Sequence, residues 1–362
     1  MNELEEARRI ISETDAAMAG LFERRMRAVE QVAAYKRERG LPVLDPEREN
    51  ALIQKNSALI GDPLLRDYYV RFLRDTMAVS RSYQNRLISG IRAAYSGVPG
   101  AFAEEAVKTL FPDGIPVPCA DFAEAYKAVA SGDCDAAVLP LENSFAGEVG
   151  AVYDLLFSGP LYVNGMLELA VTQNLLTLPG ADIREIRTVV SHPQALGQCA
   201  AFIREHGFET REYGNTAQAA KFVAELSDPS FAAIGTEEAA RLYGLTVSAR
   251  RINESGQNTT RFAVLTRTEN DAPGREDDSF LLVFSVKNQA GSLAEAVAII
   301  GRRGYNMRSL HSRPLKTLLW SYYFYVECEG NVRSENGRTM LEELSSVCDK
   351  LKLVGTYPAK GA

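Results

Sequence analysis

The sequence predicts a multidomain chain: an all-α three-helix domain over residues 1–90, a two-lobed α/β domain over 91–267, and a ferredoxin-like α+β domain over 279–357. Three observations predict it. Up to about residue 90, glycine is sparse and apolar residues recur at steps of three and four, the period of a helix. From residue 92 to about 266, short β-rich runs alternate with amphipathic stretches, the order of sheets covered by helices. Beyond the polar segment 267–278 (RTENDAPGREDD), which contains Pro and Gly and reads as a linker, strands and helices follow in βαββαβ order. A chain of 362 residues also exceeds what one ordinary core can organise.

The elements follow from local chemistry. A first helix is expected from Glu3 to about Arg39, closed by Gly40 in the left-handed cap position, with Lys36, Arg37 and Arg39 in its last turn. Asp45-Pro46 and Asp62-Pro63 each join an N-cap to a first-turn proline and open two more helices, the third reaching about Ile88. In the middle segment Arg92–Tyr95, Ala136–Leu139, Arg187–Ser191 and Phe231–Ile234 are expected strands, each ending in a loop before a helix. In the last segment strands are expected at Ser279–Val286, Tyr305–Ser312, Trp320–Cys328 and Leu351–Tyr357, with helices at Ser292–Arg303 and Gly337–Lys350.

Composition excludes several classes of function. The formal net charge of −7 argues against nucleic acid or an anionic membrane as a partner. No stretch approaches the roughly 18 apolar residues of a spanning helix. The opening MNELEEARR is acidic and lacks an apolar run, so no signal peptide is expected. The five scattered cysteines include no CxxC pair and are expected to be reduced thiols of a cytoplasmic protein. The three histidines lie far apart, so no metal is expected, and no cofactor motif is present.

The first helix carries the sharpest pattern. Positions 8, 11, 15, 18, 22, 25, 29, 32 and 36 share one helical face and hold Arg8, Ile11, Asp15, Met18, Phe22, Arg25, Val29, Val32 and Lys36. Five apolar residues turn this face inward. Its four charges then need partners, because an unpaired buried charge costs on the order of several kcal/mol. One reading is an internal network in which Asp15 satisfies a cation. The other is a pocket completed by a bound anion. The excess of positive charge favours the pocket, with Asp45, Arg48 and Glu49 at the start of the second helix and Ser80 and Gln84 four apart on the third.

These residues resemble the all-helical chorismate mutases. The steps from Arg8 to Arg25 to Lys36, the D-x-x-R-E element at Asp45, Arg48 and Glu49, and the S-x-x-x-Q of Ser80 and Gln84 all match that family across residues 1–88. The resemblance implies a pericyclic rearrangement of the dicarboxylate chorismate to prephenate. Such a step needs a held conformer and charge stabilisation at the breaking ether oxygen rather than a nucleophile. Arg8 and Arg25 would grip carboxylates, Lys36 and Gln84 would donate to the ether oxygen, Glu49 would orient the ring hydroxyl, and Arg48 and Ser80 would complete the pocket. A helix of about 35 residues spans about 50 Å, more than a 90-residue domain covers alone. The excess apolar seam is therefore expected to bury itself in a partner, and the resemblance implies an intertwined homodimer with Arg8 serving the neighbouring site.

In the middle domain, Pro140-Leu141-Glu142-Asn143-Ser144, Ser191-His192-Pro193-Gln194 and Asn258-Thr259-Thr260-Arg261-Phe262 resemble the motifs of prephenate dehydratases. The resemblance implies loss of the ring hydroxyl and a carboxylate of prephenate together, giving phenylpyruvate. Thr260 would protonate the departing hydroxyl. Arg261 would hold a carboxylate, and Asn143, Ser144, Gln194 and Gln198 would orient substrate, with Ser191, His192, Thr259 and Phe262 lining the site. Ala101 and Ala103 stand where many relatives carry hydroxyl residues. The last segment resembles an ACT domain: Ala290-Gly291-Ser292-Leu293 and Ser312-Arg313-Pro314 match its motifs, with His311 where glutamate is usual. This implies phenylalanine as effector. Two alternatives stay open from sequence: an arogenate-preferring dehydratase, or a non-catalytic module sensing small anions and amino acids.

Overall fold

The structure is a computed structural model describing residues 2–254, 258–270, 277–315 and 321–358. Part of the expected linker (271–276) and Trp320, the start of an expected strand, lie outside the described residues. The chain divides into two compact units, Met1–Arg92 and Ala93–Ala362.

The first unit has three helices, α1 (Glu3–Arg39), α2 (Pro46–Ser57) and α3 (Pro63–Ser89). A capping box between Asn2 and Glu5 starts α1, and Gly40 ends it at φ 62°. Asp45 and Asp62 cap the other two, accepting from the backbone N–H groups of Arg48 and Leu64. α1 lies against α3, and the buried apolar residues are Val29 and Ala33 on the first and Leu73 and Met77 on the second. The expectation of an inward seam holds only for the C-terminal part of α1. Within one chain Ile11, Met18 and Phe22 are 59%, 41% and 46% exposed. Leu64, Leu65, Tyr68 and Phe72 of α3 are exposed as well. The helix is longer than the unit that covers it.

The second unit begins with β1 (Arg92–Ser96), α4 (Phe102–Leu110), β2 (Ile115–Cys119), α5 (Phe122–Ala130), β3 (Ala136–Asn143), β4 (Gly147–Glu148), α6 (Gly150–Ser158) and β5 (Tyr162–Ala170). The chain then builds a separate five-stranded lobe from β6 (Asn174–Thr177), β7 (Thr188–Ser191), α7 (Pro193–Gln198), α8 (Ala200–His206), β8 (Glu209–Glu212), α9 (Thr216–Leu226), β9 (Phe231–Gly235), α10 (Glu237–Tyr243) and β10 (Thr246–Ala249). It returns to the first lobe as β11 (Thr259–Thr266), antiparallel between β3 and β5. The alternation of short apolar strands and amphipathic helices produced this two-lobed α/β arrangement as expected.

The last elements are β12 (Ser279–Ser285), α11 (Ser292–Arg302), β13 (Asn306–Pro314), β14 (Tyr322–Glu329), α12 (Glu335–Val347) and β15 (Lys350–Tyr357). Their strand order, β13-β14-β12-β15, is the ferredoxin-like topology. The helices bury Ala296, Ile299, Ile300, Met340 and Leu344 against one side of the strands. Leu281, Val283, Tyr323 and Tyr325 belong to the core of the first lobe instead. The join is made by β15, whose Gly355 pairs in parallel with Val163 of β5, so the two sheets run on as one.

Gly355 is there because nothing larger fits: a Cβ would lie 1.9 Å from the Val163 carbonyl oxygen. Gly355→Ala is expected to destabilise this junction by about 1–3 kcal/mol, the usual cost of overpacking. A urea midpoint for the second unit equal to that of the unaltered protein would contradict this packing.

Candidate active sites

In the first unit, Arg25, Lys36, Asp45, Arg48, Glu49, Ser80 and Gln84 line one cavity of about 160 Å³, floored by Val29, Val32 and Met77. Arg25 donates to the Ser80 hydroxyl and, at 3.5 Å, to the Thr76 carbonyl. Burial holds its guanidinium below the ordinary arginine range, though still as a cation. Lys36 donates to the Val43 carbonyl at 2.6 Å, which fixes its ammonium beside the α1–α2 loop and leaves two donors over. Gln84 donates to the Ser80 carbonyl at 3.4 Å, and its buried Oε1 has no hydrogen-bond partner.

The sequence reading missed Arg81. Its Nη1 lies 2.5 and 2.6 Å from the two oxygens of Glu49, so it grips the carboxylate expected to meet substrate. The signal was available: Arg81 follows Met77 by four, on the helical row that also holds Leu73. With it the cavity lining carries four cations (Arg25, Lys36, Arg48, Arg81) against two carboxylates (Asp45, Glu49), a net +2 suited to a dianion. Arg8 is not among these residues. It lies seventeen residues up α1 from Arg25, about 25 Å along the axis at 1.5 Å per residue. Among the described residues no cation pairs with Asp15, so the internal network centred on it is not formed within the chain.

In the second unit the motif residues meet where the lobes touch. Asn143 ends β3 and Thr260 sits opposite it in the β11 register. The Asn143 Oδ1 accepts from the backbone N–H groups of Phe145 and Ala146 at 3.0 and 2.9 Å. Those two donors fix the amide orientation, so its Nδ2 must be the donor towards Asn258 Oδ1 (2.8 Å) and Thr260 Oγ1 (2.9 Å). Thr260 thus accepts through its oxygen and keeps its own hydroxyl proton to give. Gln194, at the start of α7 in the other lobe, reaches Asn143 Oδ1 at 3.4 Å. Ser144 pins the backbone of Thr259 by bonds of 2.8 and 2.9 Å. Asn143, Asn258, Thr260 and Gln198 are all buried.

Other expected residues have supporting places. Ser191 donates to the Ile234 carbonyl at 2.7 Å, and His192 caps α7 by accepting from the Gln194 N–H at 3.2 Å. Gln198 accepts from Gln173 at 3.3 Å. Phe262 is a core residue, 3% exposed, packed with Tyr95, Val138 and Leu167. A larger hollow of about 470 Å³ between the lobes is lined by Glu105, Lys108, Glu237, Glu238 and Arg251 among others, and none of the motif residues lines it. Its excess of carboxylates makes it a poor host for a dicarboxylate.

Arg261 departs from its expected role. Being next to Thr260 on a strand, it points to the opposite face. There it donates to both oxygens of Glu327, at 2.7 and 2.6 Å, and lies 3.7 Å from Glu142 and from Glu168. These bonds raise its pKa. Burial pushes the Glu327 carboxyl up, but its bonds to Arg261, together with Tyr357 and the Arg308 cation, hold it below the ordinary carboxylate range. Two expected effector residues are engaged similarly. His311 lies 3.2 Å from Glu148, and Arg313 bonds Asp154 at 2.9 Å. Ser312 and Pro314 alternate with them and are exposed. Ala290, Gly291, Ser292 and Leu293 form the turn into α11, with Gly291 at φ 88°.

Among the described residues no group of three or more His, Cys, Asp or Glu is placed to hold a metal ion, and no helix is long and apolar enough to cross a membrane. All five cysteines are free, and burial pushes Cys199 and Cys328 up to about 12.

Known proteins carry the same two parts. The family model of prephenate dehydratase matches residues 93–270, and that of chorismate mutase type II matches residues 7–85. A bifunctional chorismate mutase/prephenate dehydratase of Enterobacter agglomerans is 33% identical over 94% of this chain and 92% of its own length. An arogenate dehydratase/prephenate dehydratase 2 of Arabidopsis thaliana is 36% identical over 75% of this chain and 73% of its own. The solved prephenate dehydratase of Arthrobacter aurescens, in complex with L-Phe, matches with a TM-score of 0.69 at 26% identity, covering 75% of this chain and 92% of that one. The two units therefore define a two-activity enzyme, an isomerase joined to a lyase. The chain belongs to the bifunctional chorismate mutase/prephenate dehydratases of phenylalanine biosynthesis.

The cavity of the first unit yields a direct expectation. Arg81→Met should lower mutase kcat/KM by about tenfold or more, since a charge-assisted bond that orients Glu49 is worth about 1.5–3 kcal/mol. Chorismate consumption at the unaltered rate would remove Arg81 from the site.

Proposed function

We propose that the helical unit rearranges chorismate through Lys36 and Gln84, and that the second unit dehydrates and decarboxylates prephenate through Thr260. In the mutase cavity, Lys36 and the Gln84 amide stabilise the negative charge that grows on the ether oxygen as the C–O bond breaks and the C–C bond forms. Arg25 and Arg48 hold carboxylates, Ser80 supports Arg25, and Glu49, held by Arg81, takes the ring hydroxyl. In the dehydratase, the electrons of the breaking C–CO2 bond enter the ring and expel the hydroxyl, which takes a proton and leaves as water. The observation that supports Thr260 as donor is its hydrogen bond from Asn143, which leaves the threonine proton free and favours its release. Aromatisation of the ring supplies the driving force.

Prephenate is preferred over arogenate as the second substrate, because the first unit makes prephenate and the near full-length relative is bifunctional. A purely sensory second unit would have no use for a buried hydroxyl with its proton unspent. The exposed N-terminal stretch of α1 supports a homodimer in which Arg8 enters the cavity of the second copy. Ile11, Met18 and Phe22 are the apolar residues such a partner would cover. For the C-terminal domain the effector is L-phenylalanine, the ligand of the Arthrobacter relative. It would meet the Ala290–Leu293 turn and the exposed side of β13. The buried free thiols suit a cytoplasmic setting.

Two variants separate the activities. Lys36→Ala should reduce mutase kcat by at least about a hundredfold and leave dehydration of added prephenate intact, and Thr260→Ala should do the reverse. Loss of both activities in either folded variant would contradict two independent sites. For the assembly, sedimentation should give twice the 39.7 kDa chain mass for the unaltered protein and a shift towards the single chain for Phe22→Glu. A monomer with full mutase activity would refute the shared cavity.

A further inference from the structure

We propose that Glu327, contributed by the C-terminal sheet, is a positioning residue of the dehydratase: gripping Arg261, it sets the strand that presents Thr260. The inference rests on the dehydratase reading of Thr260.

The geometry is specific. Two parallel bonds of 2.7 and 2.6 Å join a planar guanidinium to a carboxylate, the most directional ion pair available to side chains. Glu327 is only 4% exposed, so it cannot exchange Arg261 for water at little cost. The register of β11 against β3 shifts between Arg261 and Phe262, with Leu141 of β3 as the extra residue, so the pairing is irregular one residue beyond Thr260. Arg261 stands at this irregularity, and its fork to Glu327 ties β11 there to β14. Its remaining neighbours, Glu142 and Glu168, are 38% and 62% exposed at the side chain and 3.7 Å away, too loose to replace the fork.

β14 also holds the other half of the catalytic pair. Tyr323, Tyr325 and Glu327 alternate along one face of it. Tyr323 donates to Asp154 at 2.6 Å, and Tyr325 donates to Glu148. Glu148 is paired with Glu142 in the hairpin that carries Asn143. Donor and acceptor of the 2.9 Å Asn143–Thr260 bond are therefore each tied, within a few residues, to the same C-terminal strand. A displacement of about 1 Å at a reacting group can cost up to about a hundredfold in rate. Glu327 thus acts on turnover through Arg261 without touching substrate.

The test uses the full chain and added prephenate, with the urea midpoint of the second unit in the same samples as a check on folding. Glu327→Ala should lower dehydratase kcat between about 10- and 100-fold while KM changes by less than about twofold. Glu327→Gln, which keeps the shape and one acceptor, should recover part of the loss and serves in place of alanine if that variant does not fold. Arg261→Ala combined with Glu327→Ala should be no slower than the slower single variant, because both remove one link. Unchanged kcat in folded Glu327→Ala or Glu327→Gln, a loss confined to KM, or losses that multiply in the double variant would each overturn the proposal. An unaltered protein that does not consume prephenate would instead overturn the dehydratase reading on which it rests.

Discussion

The second unit depends on one strand that leaves a lobe and comes back. β11 enters the first sheet antiparallel between β3 and β5 after the chain has built the whole of the other lobe. A strand in that position has two faces with different obligations. One face lays Thr260 beside Asn143 and Phe262 into the core. The other face puts Arg261 among Glu327, Glu142 and Glu168. The period-two alternation of a strand forces this division, so neighbouring motif residues cannot all face the substrate.

That division ties the strand carrying Thr260 to the ferredoxin-like sheet without a long pathway. The ferredoxin-like sheet is joined to the dehydratase sheet through Gly355 and Val163, and its polar face meets Glu148, Asp154 and Arg261. Replacing a buried charge pair of this kind with one unpaired charge costs more than the pair contributes, so the docked arrangement is strongly specified. The carboxylate of Glu327 is held below its ordinary range, so its folded form is favoured by ionisation. The contribution is present above the ordinary carboxylate pKa and is lost as pH falls through the lower folded value.

Much of this was legible in the sequence, and the exceptions have physical reasons. Helix bounds in the first unit followed from Asp45-Pro46, Asp62-Pro63 and Gly40, whose chemistry is local. The cavity residues from Arg25 to Gln84 were legible because helical spacing fixes which side chains share a face. Arg81 was passed over because it lies between the two matched positions, Ser80 and Gln84. The N-terminal part of the α1 seam is exposed within one chain, because an apolar face states a need for burial without saying what supplies it. The pairing of Arg261 with Glu327 was not legible because the partner lies 66 residues away in sequence, and no local pattern announces a contact of that range. Phe262 packs into the core although it belongs to the same motif, because proximity along the chain does not fix convergence in space.

The two units place one reaction's product within the same chain as its consumer. The first cavity offers two net positive charges and donors suited to a developing ether oxyanion. The second site offers a buried hydroxyl whose oxygen is already engaged and whose proton is not. The most direct measurement is to supply chorismate alone to the unaltered protein and follow prephenate and phenylpyruvate separately over time. Transient prephenate followed by accumulating phenylpyruvate is the predicted result. Prephenate that accumulates without phenylpyruvate, or chorismate that is not consumed, would contradict the account.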